Sequence, residues 1–187
     1  MDSRAADSNS NHLPDRLQEL LDKQDIHELF MRYARSFDRT DYDLVVSVFQ
    51  PDATHNHDGT DRPVSELLEA LKNPRRHAVR SLSHLVGNEL IELHGDVAFG
   101  ESYYLACHRV EHDGRDWDWI VGGRYLDRVE RRDGEWRIAH RTMVYDWARV
   151  DAVNERPAGL MLAQSTDNGV WGQRGPEDFS YLYQTLR

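Results

Sequence analysis

The feature of this sequence that most narrows its possible folds is a change of period at Val79. From there to about Val150 apolar and polar residues alternate, the two-residue period of a β-strand. Three turn signals cut the run: His94-Gly95-Asp96, Asp113-Gly114 and Asp133-Gly134. The spacing predicts four strands, 81–93, 97–111, 117–131 and 135–150, in an antiparallel meander. Each is far longer than the ~5–6 residues of an ordinary strand. Such strands curve, and Gly100, Gly122 and Gly123 inside them mark bends or bulges.

Before Val79 the period is 3.6. Ile26, Leu29, Phe30, Tyr33, Ala34 and Phe37 fall on one apolar stripe of a helix. Pro14 suits the first turn of a shorter helical stretch upstream, with Asp22 as an N-cap for a fresh start. Asp41 caps a second helix carrying Leu44, Val45, Val48 and Phe49, which Pro51 and Asp52 stop. A short strand near 53–57 follows, then a third helix over 64–72 with Leu67, Leu68 and Leu71 on one side. Helices first and a curved sheet after is an α+β order. The expected fold is a cone-shaped, curved antiparallel sheet (an α+β barrel) covered by three N-terminal helices and open at one end.

At 187 residues the chain fits one domain. We place it at residues 14–150, after a disordered arm at 1–13. Residues 151–187 lose periodicity, yet Trp171, Phe179, Tyr181 and Tyr183 need burial. This extension is expected to pack over the mouth of the cone or on a neighbouring subunit. The net charge of −10 disfavours nucleic acid and anionic membrane as partners. A single cysteine, Cys107, and the lack of an N-terminal apolar run make the cytoplasm the expected location. Trp117 and Trp119, read as aromatics on the convex face, predict a homo-oligomer, a dimer or trimer.

The candidate chemistry starts from Asp38, the next residue along the apolar stripe after Phe37. An acid there is either paired at the core-facing side of the last turn, or it faces solvent at a fraying helix end or caps the turn before the second helix. Tyr33 lies on the same stripe. Strand alternation puts Tyr104 and His108 on one face and Cys107 on the other. His55 and His57 supply at most two ligands on one strand, and no His-x-x-x-His or cysteine pair adds a third, so no metal or other cofactor is expected. Phosphate-binding glycine loops and a Gly-x-Ser-x-Gly elbow are also absent.

The helix pair IHELFMRYARSFDRTDYDLVVSVFQPDA, the strand start SHLVGN and the hairpin YLDRVERRDGEWRIAHR together resemble the SnoaL-like branch of the nuclear transport factor 2-like superfamily. Within it the resemblance is to scytalone dehydratase, bile acid 7α-dehydratase and hexachlorocyclohexane dehydrochlorinase, over about residues 24–150. In those enzymes an Asp ending the first helix orients a His on a long strand that removes a proton from a ring substrate. Asp38 and His84 stand at the matching places. The resemblance adds Tyr33 and His108 to the catalytic set, and Arg141 beside the substrate. His55 falls where the dehydrochlorinase has a pocket Trp, so a different substrate is implied. With Tyr104, His55 and Arg141 form the candidate substrate-binding set. The implied activity is a cofactor-independent, dehydratase-type lyase acting on a small hydrophobic ring compound. A non-catalytic binding protein of the same fold and a double-bond isomerase are the alternatives.

Overall fold

The structure, a computed structural model, describes residues 13–72, 78–153 and 172–182. In chain order the elements are α1 (Leu13–Arg39), α2 (Tyr42–Val48), β1 (Phe49–Asn56), β2 (Asp61–Pro63), α3 (Val64–Leu71), β3 (Val79–His94), β4 (Val97–His112), β5 (Arg115–Arg132), β6 (Glu135–Ala152) and α4 (Phe179–Leu182). The six strands form one curved, unclosed sheet in the order β2-β1-β6-β5-β4-β3. Among the described residues no helix is long and apolar enough to cross a membrane.

The period change yields the expected meander. β3 to β6 pair antiparallel in sequence order. The turns close where the backbone takes positive φ, at Gly95, at Asp113 and Gly114, and at Asp133 and Gly134. The meander carries four register irregularities, at Val79/Ser81, Gly87/Leu90, Gly122/Gly123 and Arg128/Val129, two of them inside the long strands beside glycines. Between Gly87 and Leu90 the β3–β4 register shifts, with Asn88 at φ 50°. Between Gly122 and Gly123 the β5–β6 register shifts as well, and Asp146 becomes the extra residue on β6.

Three details depart from the sequence reading. The sheet is not wholly antiparallel, because β1 pairs with β6 in parallel. β1 enters directly from α2 and lies along the β6 edge of the meander; the opposite edge, β3, stays open. Pro51 does not separate helix from strand: β1 begins at Phe49, and Pro51 sits in the irregular stretch between Phe49 and Thr54, where a missing N–H costs little. Nor does Asp22 start a helix. It is buried inside the continuous α1 and accepts bonds from Arg131 Nη1 (2.7 Å) and Trp136 Nε1 (3.1 Å).

The core lies between α1 and the concave sheet face. Ile26, Leu29, Phe30, Tyr33 and Phe37 from the stripe meet Ala98, Tyr104, Val121, Tyr125, Val129 and Ile138. Each large apolar side chain so buried contributes about 1.5–3 kcal/mol relative to exposure. Phe30 packs so closely on the sheet that a Cβ at Gly100 would lie 2.7 Å from its ring.

Candidate active site

α1 ends in a Schellman-type cap, with Asp41 N–H donating to Ser36 O (2.8 Å) and Thr40 N–H to Phe37 O (3.4 Å). Thr40 takes φ 54°, a left-handed conformation that costs a β-branched residue about 1–2 kcal/mol. Asp41 then caps α2 through Leu44 N–H. Asp38 is thereby fixed on the last turn of α1, beside β3.

β3 is an edge of the sheet, so alternate N–H groups on it have no strand to meet. The His84 N–H is one of these, and it donates to Asp38 Oδ2 at 3.1 Å. The same carboxylate takes His84 Nδ1 at 2.7 Å through Oδ1. A carboxylate only accepts here, so in the neutral ring Nδ1 carries the proton and Nε2 the lone pair. Both side chains are largely shielded, His84 at 8% and Asp38 at 14% exposure. Asp38 is therefore paired and largely shielded; it does not face solvent, and the cap of α2 is Asp41.

His84 forms part of the wall of a cavity of about 200 Å³. Phe37, Leu67, Leu82, Ala106, Val121 and Met143 make it apolar, and Tyr33, Tyr104, Tyr125, Tyr145, His57 and His108 bring polar atoms to it. The His108 ring lies 6.3 Å from that of His84 and stacks on Trp119 at 4.9 Å. Its Nδ1–H donates to the Trp119 carbonyl at 3.3 Å. Tyr104 stacks on Tyr125 at 4.3 Å, and its hydroxyl makes a long bond of 3.5 Å to Val144 O. Burial pushes the hydroxyls of Tyr104 and Tyr125 up, so both stay protonated.

Of the seven residues singled out in the sequence, Tyr33, His84, Tyr104 and His108 line the cavity, and Asp38 stands behind His84. Arg141 and His55 do not line it. Arg141 is fully buried, bound to Asp127 through two 2.6 Å contacts and clasped between the rings of Tyr33 (3.9 Å) and Tyr125 (4.1 Å). Burial favours its neutral form, but the Asp127 carboxylate outweighs that and holds the guanidinium above its ordinary value. Its contact with the cavity runs through those two tyrosines.

His55, near the end of β1, is buried, its Nδ1 2.6 Å from His57 Nδ1. Burial first, then the nearby Arg62 charge, pushes the His55 imidazole down. The partner that reaches the cavity is His57, which the sequence reading passed over except as half of a weak metal pair. His55 lies in β1, whereas His57 follows its last residue, Asn56, in the bend beyond the strand, so strand alternation does not govern where His57 points. Among the described residues no three His, Cys, Asp or Glu side chains are grouped to hold a metal ion. Trp119 was also misread. It faces the cavity, on the concave side, because it shares the face of Val121 and Tyr125.

The SnoaL-like domain family matches residues 18–142. No curated protein matches the chain. Among solved structures, a type 2 hexachlorocyclohexane dehydrochlorinase (LinA) is 18% identical, with 78% of this chain and 99% of that one covered at a TM-score of 0.67. A scytalone dehydratase-like protein from Novosphingobium aromaticivorans is 22% identical, with coverage of 76% and 96% and a TM-score of 0.61. Rv3472 of Mycobacterium tuberculosis, a protein of unknown function, is 29% identical, with coverage of 68% and 77% and a TM-score of 0.59. The structural neighbours below 25% identity speak for the fold alone. The family match spans most of the described domain, and on it the chain belongs to the SnoaL-like domain family.

Proposed function

We propose that this protein is a cofactor-independent lyase of the dehydratase type acting on a small, hydrophobic cyclic molecule. The observation that carries the reading is the two-point grip of Asp38 on His84 at the wall of an apolar cavity. Asp38 holds His84 in the tautomer whose Nε2 is a base and stabilises the imidazolium that forms. Nε2 removes a proton from a ring carbon next to a carbonyl. The C–H electrons become the new double bond, and the adjacent C–O bond breaks toward oxygen. His108 protonates the departing hydroxyl through its own Nε2, since its Nδ1–H stays on the Trp119 carbonyl in either charge state. Tyr33 polarises the carbonyl, and Tyr104 is a further hydroxyl donor on that wall. Solvent then returns the proton from His84 to His108.

The test is turnover of a panel of cyclic β-hydroxy ketones, followed by mass spectrometry. A product lighter by one water supports the lyase, whereas a product of unchanged mass would identify the isomerase. His84→Ala is expected to abolish the reaction. Asp38→Asn should remain folded, losing about 1–3 kcal/mol, and slow it by about 10³–10⁴-fold. Folded variants that turn over at near wild-type rate would remove the pair from the mechanism.

A further inference from the structure

The segment from Gly172 to Leu182 lies beyond the residues that match the family, yet it binds the chain on both sides of Asp38. Arg174 Nη2 donates to the carbonyl of Phe37 at 3.4 Å, and the Gly175 N–H to the carbonyl of Arg39 at 2.8 Å. These are the two neighbours of Asp38. Arg174 Nη1 reaches the carbonyl of Val79 at 3.2 Å, at the start of the strand that carries His84. One guanidinium therefore ties the end of α1 to β3.

The segment is itself firmly built. Asp178 is buried and accepts from the backbone N–H of Gln173 (2.8 Å) and Ser180 (3.0 Å), and from the Ser180 hydroxyl. It also meets Arg39 Nε at 3.2 Å. Tyr181 donates to Asp41 Oδ2 at 2.8 Å, on the residue that caps α2. Arg35 reaches Ser180 Oγ at 3.2 Å and lies over the Tyr181 ring. The elbow so braced is the one in which Thr40 is strained, so left alone it has reason to relax.

We propose that Arg174 is a positioning residue, and that the C-terminal segment holds Asp38 at hydrogen-bonding distance from His84. The inference rests on the reading of Asp38 and His84 as a working pair. It acts through the backbone flanking Asp38 and touches no substrate. It also explains why a chain whose family match ends at Thr142 carries an ordered piece of backbone thirty residues further on, seated on α1.

The test needs no substrate. In the full chain, nuclear magnetic resonance reads the His84 ring tautomer and the exchange of the His84 amide, whose bond goes to Asp38. Arg174→Ala, or a chain ending at residue 171, is expected to mix the His84 tautomers. Amide exchange should speed up about tenfold, while exchange at core amides such as those of Tyr125 and Val129 stays as in wild type. Arg174→Lys keeps one donor and should recover part of the protection. Equal exchange at His84 in the wild type and both altered chains would overturn the proposal while leaving the catalytic pair intact. So would a loss spread evenly over His84 and the core, because that marks general destabilisation. If Asp38→Ala, which removes the acceptor altogether, leaves the wild-type His84 tautomer unchanged, there is no pair to position and both readings fall. Where a substrate is in hand, Arg174→Ala should lower kcat with KM little changed.

Discussion

A buried ion pair and a buried histidine decide how single residues respond to substitution. Asp127 and Arg141 are both sealed from water, and Arg141 Nη1 has no partner among the described residues. Asp127→Ala would leave that charge unpaired, so a loss of about 3–5 kcal/mol in urea unfolding is expected, far more than for the part-exposed ion pairs of the surface. His55 gives a pH dependence. Its folded pKa is held below the ordinary value of about 6.5, so the unfolded chain takes up the proton first as the pH falls. The stabilisation is complete above that pH and is lost below it. Arg62 and His140 push in this direction, while Glu66 and Asp58 oppose it. Thermal midpoints measured on both sides of pH ~6.5 should fall on the acid side, and less steeply for His55→Gln. At this scale the residues that meet at the cavity are more legible in the sequence than their depth. Asp38, His84, Tyr33, Tyr104 and His108 were placed by stripe, alternation and resemblance. The burial of Arg141 and the reach of His57 depend on register shifts in β1 and on an ion pair fourteen residues apart on neighbouring strands, which no local pattern encodes.

Among the elements, the long strands were legible almost to the residue, because glycine and aspartate turns leave little freedom over where a hairpin closes. What could not be read is which strand lies beside β1, a choice made by tertiary packing. The bend at Gly122-Gly123 is the element most open to test. A Cβ at Gly123 would stand 2.0 Å from the Val144 carbonyl and 2.8 Å from the Tyr104 hydroxyl, and one at Gly122 would meet the Trp147 ring at 2.4 Å. Backbone cannot move aside as a side-chain tip can. Gly123→Ala should cost at least about 1–3 kcal/mol in chemical denaturation and displace Tyr104 from the cavity wall. A variant that unfolds at the wild-type denaturant concentration would show that β6 yields there freely.

For the molecule as a whole, the outward face of the sheet is apolar in places. Leu85, Leu90, Phe99, Tyr103 and Leu126 are all substantially exposed. They replace Trp117 and Trp119 as the grounds for the expected homo-oligomer. Light scattering at micromolar concentration should give a mass above one chain, and Phe99→Glu together with Leu126→Glu should return it to the monomer. The order of the strands also bears on how the chain reaches this shape. Asp38 and His84 are 46 residues apart, and the meander that presents His84 closes through short hairpins. β1 must wait for a partner 86 residues downstream, at the Thr54 and His140 contact. Non-local parallel pairing forms late because loop closure precedes any gain from contact. During synthesis β1 thus emerges with both edges bare, and a chain stalled before Glu135 carries it with no strand but the three-residue β2 to pair with. β1 and the His57 bend that follows it are therefore seated only once β6 has left the ribosome.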